Sequence, residues 1–176
     1  MIFNNSKGSF LIREASFEDL LELVHIHVTS WNATYPDYHP KPTSQLRKMQ
    51  WEKAFNEKEG NWFCYVAEKQ GEQIVGFATG NDFHDEPEFE SQLNKIHFLK
   101  DYQRLGLGRL LVGHVVKRFI EKGFQSMLLF ADTGNPNIKF YDLLEGERLH
   151  DNQGKFQGSF GWRNLERLKE LCFLKN

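Results

Sequence analysis

The chain has 176 residues, of which 40% are hydrophobic, 14% aromatic and 26% charged, and its formal net charge at pH 7 is −2. This composition is that of one globular domain, and it excludes a disordered chain, a collagen-like repeat and a disulfide-stapled miniprotein. Residues 1–90 have a net charge of −7 and residues 91–176 one of +5, which indicates ligands of opposite sign for the two halves and excludes the plain basic excess of a duplex-binding protein.

The first half of the chain predicts one strand, two helices and a pair of strands. A capping-box pattern at residues 16–19 precedes apolar residues at helical spacing, and Thr43 or Ser44 can cap a second helix. Gly71-Glu72 separates two β-prone runs and predicts a hairpin turn. The predicted elements are a strand at 10–12, a helix from 20 to 29, a helix from 44 to 55, strands at 62–69 and 73–81, and a loop at 82–90.

The second half predicts alternating strands and helices that end in a hairpin. A long amphipathic helix ends at Gly123, a proline stands near the first turn of a short helix, and Gln153-Gly154 joins the last two strands. The predicted elements are a strand at 93–99, a helix at 108–122, a strand at 126–131, a helix at 136–144, and strands at 147–152 and 155–163. We expect a single α/β (α+β) domain over 1–176, with its core at about 10–165 and a mostly antiparallel sheet.

The cysteines and the N-terminal residues predict a soluble cytoplasmic protein. Cys64 and Cys172 form no CxxC pair, so neither a redox motif nor a metal site is predicted. Cys64 stands in an apolar run and is expected to be a buried, inert thiol. Residues 1–10 contain no apolar signal segment, and no stretch approaches the roughly 20 apolar residues of a membrane span.

The segment at 102–109 is the strongest candidate for a ligand site. It lies between a predicted strand and a long helix, and Gly106 and Gly108 allow backbone N–H groups to approach a ligand. Arg104 and Arg109 can add charge-assisted contacts to phosphate oxygens. The alternative is a tight turn with a solvated arginine pair. A dinucleotide fingerprint fails at Leu111, and a P-loop fails because residues 114–115 are not Lys-Ser/Thr.

The hexapeptide at 103–108 resembles the Q/R-x-x-G-x-G/A acetyl-coenzyme A motif of the GNAT superfamily of N-acetyltransferases. Residues 135–141 are similar to the family's N-P-x-x-x-F-Y helix, and residues 31–35 to a W-x-x-T-Y signature of one bacterial branch. Gly161-Trp162 matches that branch's final strand. The resemblance implies a GNAT-like domain with a mixed, mostly antiparallel seven-stranded sheet and about four helices.

The resemblance also implies a cofactor site for acetyl-coenzyme A, with no metal. The cofactor would lie in a V-shaped gap between the strands at 93–99 and 126–131. Backbone groups of His97, Phe98 and Leu99 would pair with its pantetheine arm, one N–H polarising the thioester carbonyl, and Asn135 would bond the same arm. The pyrophosphate would rest on the N–H groups of Arg104, Leu105, Gly106, Leu107, Gly108 and Arg109.

Two residues are the candidates for proton transfer. Tyr141 occupies the position of the family's tyrosine general acid, and a phenol can protonate the departing thiolate. The family's usual glutamate base corresponds to Gln92, which cannot take a proton, so Glu90, on the same strand face if the strand extends that far, is the candidate base. His97, which could also simply pack, and a chain of waters are alternatives.

The expected reaction is acetyl transfer from acetyl-coenzyme A to a primary amine by direct nucleophilic attack. The acceptor would be a small molecule or a peptide amine, with no nucleic acid or membrane partner, and relatives suggest a homodimer. The acidic loop at 82–90 could attract a cationic amine or be a solvated loop, and Trp31, Tyr35 and Tyr38 could form an aromatic wall. The alternative function is a non-catalytic acyl-coenzyme A-binding sensor or regulatory module.

Overall fold

The computed structural model describes residues 2–174, so residues 1, 175 and 176 of the predicted domain lie outside the described part of the chain. Its strands are β1 Ile2–Asn5, β2 Gly8–Glu14, β3 Phe63–Lys69, β4 Gln73–Asp82, β5 Ser91–Phe98, β6 Met127–Phe130, β7 Glu147–His150 and β8 Phe156–Trp162. Its helices are α1 Leu20–Thr34, α2 Ser44–Glu57, α3 Leu107–Glu121, α4 Lys139–Leu143 and α5 Leu165–Phe173.

The strands form one mixed sheet in the order β1-β2-β3-β4-β5-β6-β8-β7. Every neighbouring pair is antiparallel except β5 and β6, which are parallel. The α/β class and the mostly antiparallel sheet are therefore confirmed. The predicted counts are corrected: the described residues form eight strands rather than seven, and five helices rather than about four.

Two elements are absent from the prediction. Strand β1 pairs with β2 through registers such as Phe3↔Phe10, and its alternation of exposed and half-buried residues extends over only four positions. Helix α5 begins after Asn164, whose side chain accepts a hydrogen bond from the Arg167 N–H at 2.9 Å. The buried residues Leu165, Leu168 and Cys172 follow at helical spacing, so this helix carried a readable signal.

The two faces of the sheet bury separate apolar clusters. Helices α3 and α5 pack on one face, and α1 and α2 pack together on the other, with α1 against β4 and β5. Alternation along the strands sends neighbouring side chains to opposite clusters, so Phe63 packs on the α3 side and Cys64 on the α1 side. Cys64 is 1% exposed, as the sequence predicted.

Helix α1 ends five residues later than the helix predicted from the sequence. It continues past Thr29 to Thr34, and the Tyr35 N–H still donates to the Trp31 carbonyl at 2.9 Å. The helix ends just before Pro36, which has no N–H to donate and disfavours helical backbone in the residue before it. The extra turn and a half carries Trp31 and Thr34 to the edge of the site described below.

Candidate active site

Strands β5 and β6 separate to form a V-shaped gap. They pair only at one end, where Ser91 lies opposite Met127 and Gln92 opposite Leu128. Beyond that point β5 stays with β4, whereas β6 follows β8. A cavity of about 1060 Å³ occupies the open end, lined by residues of α1, α2, β5, the β5–α3 loop, the β6–α4 loop and α4. This is the gap that the sequence predicts between these two strands.

The backbone of β5 offers alternate residues to the gap. The Leu99 N–H donates to the Val75 carbonyl at 2.9 Å, which extends the ladder with β4 beyond the pair Gly76↔Phe98. Peptide groups in an antiparallel ladder alternate in direction, so His97 also faces β4 and Phe98 faces the gap. The Phe98 carbonyl accepts from Gln103 Nε2 at 3.2 Å on that side.

The three backbone positions predicted on β5 thus differ in their placement. Phe98 directs its backbone into the gap, as does Ile96 two residues earlier. His97 lines the cavity, but its backbone faces Phe77 of β4, which corrects the expectation that it pairs with the pantetheine arm. The expectation for Leu99 is corrected, because its N–H is bound to β4 and is not available to a ligand in the gap.

The loop after β5 and the start of α3 form the polar wall of the gap. Arg104 and Gly106 adopt left-handed backbone conformations, with φ of 59° and 84°, which turn the chain sharply into the helix. The first N–H groups of α3 have no partner within the helix and lie at its positive end. Gln103, Arg104, Gly106, Gly108 and Arg109 line the cavity, whereas the side chains of Leu105 and Leu107 pack into the apolar cluster.

Helix α4 and the loop before it close the other wall. Tyr141 lines the cavity although it is only 7% exposed, and burial, with a smaller contribution from Tyr35, raises its pKa to about 12. The phenol is therefore a neutral proton donor at neutral pH. Asn135 also lines the cavity, and its side-chain oxygen accepts from the Asn137 N–H at 2.9 Å. The structure thus places these two predicted residues at one cavity with Phe98.

Glu90 lies outside the cavity. Strand β5 begins at Ser91, so Glu90 is at the closed end of the gap and does not share the strand face that its predicted role requires. One of its carboxylate oxygens accepts from the Gln125 N–H at 2.7 Å and from the Ser126 N–H at 3.3 Å. This geometry corrects the expectation that Glu90 is a general base. Its carboxylate instead binds the backbone directly before β6.

The acidic loop at 82–90 contributes none of the described residues that line the cavity, although Phe83 packs on Phe130, which does line it. Asp82 pairs with Lys122 and accepts from Asn61 Nδ2 at 2.6 Å. Glu88 pairs with Arg163 at 2.8 Å. The loop therefore does not contact a molecule inside the cavity, and its attraction for a cationic amine stays a prediction. Part of the loop charge is neutralised by pairing within the fold.

A basic cluster that the sequence did not predict as a site lies on the α1 side of the cavity. His27, Arg47, Lys95 and His97 all line it, and the rings of His27 and His97 are 4.8 Å apart. Ser30 Oγ lies 2.9 Å from His97 Nδ1. Burial, aided by nearby positive charge, lowers the pKa of His97 to about 3 and that of His27 to about 2. Both histidines are therefore neutral at neutral pH.

These residues carried unequal signals in the sequence. His97 was identified as a candidate base because it alternates with apolar residues on β5, the strand that forms one side of the gap. His27 reads as a core histidine of an amphipathic helix, and it is in fact buried. Arg47 and Lys95 belong to no motif that the sequence analysis recognised. Their convergence depends on how α2 packs beside α1 and β5.

Among residues 2–174, no group of three or more His, Cys, Asp or Glu side chains is arranged to hold a metal ion. No helix in the same part of the chain is both long enough and apolar enough to cross a membrane.

The split sheet and the glycine-containing turn into α3 are features of one class of protein, the acetyltransferases of the GNAT type. The family model described as the acetyltransferase (GNAT) family matches residues 20–144. The chain belongs to this family.

Individual relatives agree with this assignment. The uncharacterized N-acetyltransferase YuaI of Bacillus subtilis (strain 168) is 29% identical over 173 residues, covering 91% of this chain and 96% of YuaI. The PaiA N-acetyltransferase of Thermoplasma acidophilum, solved in complex with coenzyme A, matches with a TM-score of 0.72 at 20% identity, over 88% of this chain and 98% of that one. An acetyltransferase of the GNAT family from Staphylococcus aureus Mu50 gives a TM-score of 0.70 at 17% identity, over 89% and 99% of the two chains.

Proposed function

We propose that the protein transfers the acetyl group of acetyl-coenzyme A directly to a primary amine, with the cofactor lying in the gap between β5 and β6. One observation carries the proposal: the gap-facing backbone of Phe98, the polar turn into α3 and the neutral phenol of Tyr141 all line one cavity. The family membership supports acetyl transfer, and this arrangement supports the roles of the individual residues.

The cofactor would be held by backbone groups and by basic side chains. The pyrophosphate would accept hydrogen bonds from the first N–H groups of α3, with Arg104 and Arg109 adding charge. Phe98 and Ile96 would pair with the pantetheine arm and the thioester, and Asn135 would bond the arm from the opposite wall. A fixed N–H aimed at the thioester carbonyl stabilises the oxyanion by about 3 kcal/mol in other enzymes.

The chemical step joins the amine nitrogen to the acetyl carbonyl carbon and breaks the carbon–sulfur bond. The attacking amine must be neutral, so one proton leaves it before attack and a second leaves after the new bond forms. Tyr141 donates its hydroxyl proton to the departing sulfur and regains one from the product nitrogen through solvent. The proposal gives Glu90 no role, because its carboxylate lies outside the cavity lining and accepts hydrogen bonds from the Gln125 and Ser126 N–H groups.

The test is turnover of amines by the purified protein. Acetyl-coenzyme A is mixed with separate primary amines, and release of the coenzyme A thiol and the mass of the product are measured. We expect thiol release that depends on the amine and yields a product heavier by one acetyl group. Tight binding of acetyl-coenzyme A in a calorimeter with no turnover of any amine would contradict the proposal and support a non-catalytic acyl-coenzyme A-binding module.

A further inference from the structure

The α1 side of the cavity is basic and holds no acidic side chain near its cations. Arg47 of α2 and Lys95 of β5 both line the cavity, and each lowers the pKa of His27 and His97 by its positive charge. These effects place the four side chains close to one another. Arg47 and Lys95 also interact with each other, since the charge of Arg47 lowers the pKa of Lys95.

The polar partners of the two cations are uncharged. Arg47 donates from Nη1 to Gln50 Oε1 at 2.9 Å, and its Nε is buried without a hydrogen-bond partner. Lys95 donates to Asn94 Oδ1 at 2.6 Å. Neither cation forms an ion pair with a carboxylate of residues 2–174. Burial lowers the pKa of both side chains, so two cations are kept partly desolvated side by side.

The free energy that is needed to keep Arg47 and Lys95 together without a carboxylate indicates a ligand of opposite charge. Two desolvated cations repel each other, and a buried guanidinium nitrogen without a partner forfeits the hydrogen bond it makes in water. The adjacent histidines are neutral and cannot balance the charge. An anion at this position would be attracted by both cations, whereas a second positive charge would be repelled.

A second group of residues in the lining of the same cavity suits an ammonium group. Asp132 is the one carboxylate among the described residues that line the cavity. It interacts electrostatically with Tyr35, whose pKa is raised mainly by burial and further by this carboxylate. Trp31 packs on Tyr35 with ring centroids 5.2 Å apart and completes an aromatic wall. An acceptor that carries both an amine and an anion would match both groups of lining residues.

We propose that the acceptor is a primary amine that also carries an oxyanion, a carboxylate or a phosphonate-type group, held by Arg47 and Lys95 while its amine faces the thioester. This inference rests on the proposed function, since it assigns the substrate class of that acetyltransferase site. It replaces the cationic acceptor expected from the acidic loop, which lies elsewhere. A diamine would bring its second ammonium against Arg47 and Lys95 and is therefore disfavoured.

The test compares amines that share a chain length and differ only at the far end. A series of ω-amino acids is assayed with acetyl-coenzyme A beside the matching ω-amino amides, diamines and aminoalkylphosphonates. We expect kcat/KM for the anionic members to exceed that of the amides and diamines by about tenfold or more. The comparison of the ω-amino acids with the aminoalkylphosphonates shows which oxyanion is preferred. Equal or better turnover of diamines or amides would overturn the inference while leaving the proposed function intact, whereas no turnover of any amine would count against the proposed function itself.

Variants connect the preference to the two cations. Arg47→Gln and Lys95→Gln should each lower kcat/KM for the anionic acceptor by about tenfold while the KM for acetyl-coenzyme A stays unchanged. Lys53→Gln removes an exposed cation of the same helix and should change neither value. Retention of the full preference in both cavity variants would overturn the inference. If a variant does not fold, inhibition of the unmodified protein provides the test. We expect simple carboxylates to inhibit competitively against the amine acceptor and not against acetyl-coenzyme A.

Discussion

At the scale of single residues, burial decides which titratable groups around the cavity carry charge. Tyr141, His27 and His97 are all held neutral at neutral pH, because desolvation disfavours their ionised forms. The same effect raises the pKa of the Cys172 thiol to about 12, and that of Cys64 well above its usual range. The two thiols are therefore inert, and Tyr141 is left as a neutral donor beside the proposed thioester site.

Replacing Tyr141 with phenylalanine should lower kcat by about a hundredfold with little change in the KM for acetyl-coenzyme A. The ring still packs on Phe160, 5.3 Å away, so only the proton donor is lost. Because burial raises the pKa of Tyr141 to about 12, the wild-type phenol stays protonated throughout the usual assay range, and kcat should not decline through its ionisation below that pH. Steady-state kinetics with thiol detection measures both effects. An unchanged kcat in a folded variant would remove Tyr141 from the mechanism.

Acidification should destabilise the fold between about pH 6.5 and pH 5. The pKa of His27 is lowered to about 2 and that of His97 to about 3, from 6.5, so the unfolded chain binds protons that the folded chain does not. Below pH 6.5 each histidine lowers the free energy of unfolding by up to about 1.4 kcal/mol per pH unit. Denaturant unfolding at several pH values measures the slope. His27→Gln should reduce this slope, and substitution of the exposed His25 by Gln should leave it unchanged. A free energy of unfolding that does not depend on pH would contradict the conclusion that His27 and His97 are neutral in the folded protein.

At the scale of elements, the cavity depends on where helices and strands begin and end. The last residues of α1 carry Trp31 and Thr34 to its rim, and the start of β5 at Ser91 leaves Glu90 outside it. Helix α3 begins at Leu107, so Gly108 stands in the first turn, at the positive end of the helix. A shift of one or two residues in any of these boundaries would change which groups reach the cofactor site.

Replacing Gly108 with leucine should weaken the binding of acetyl-coenzyme A by about tenfold or more. A Cβ there would lie 3.4 Å from Phe140 Cζ and 3.7 Å from Phe98 Cε2, which is ordinary contact, so the chain can still fold. The rest of the leucine side chain would occupy the gap where backbone must approach pyrophosphate. Titration calorimetry measures the affinity, with Lys117→Leu on the exposed face of α3 as the control. Unchanged affinity in the folded G108L protein would mean that the pyrophosphate lies elsewhere.

At the scale of the whole molecule, the fold redistributes the charges of the two halves. Two carboxylates of the acidic loop, Asp82 and Glu88, form ion pairs with Lys122 and Arg163 of the second half. Meanwhile Arg47 of the first half joins cations of the second half around the cavity. The described lining has one carboxylate, Asp132, against the cations Arg47, Lys95, Arg104, Arg109 and Lys139. The cavity therefore attracts anions, both the cofactor phosphates and the acceptor proposed above.

Raising the ionic strength from about 0.05 M to about 0.5 M should increase the KM for acetyl-coenzyme A several-fold while kcat changes little. Added salt screens the attraction between the phosphates and the cations at the open end of the cavity, whereas the enclosed chemical step is less affected. Initial rates at fixed acceptor concentration measure the change. Arg104→Gln should flatten the dependence, because it removes one of these cations. A KM independent of salt would show that the cations do not guide the cofactor.

The sequence by itself determined the local features of this protein. The turn at 103–108, the cap at Thr43 and the α/β order of elements depend on backbone preferences and on periodicities within a few residues of one another, and the structure contains each of them. Only the tertiary structure decided which side chains share the cavity. Glu90, the expected base, lies outside the cavity and Arg47, of which nothing was expected, lies in its lining, because strand pairing and helix packing join distant parts of the chain. Those same contacts set the charge of the acceptor side, which no local pattern encodes.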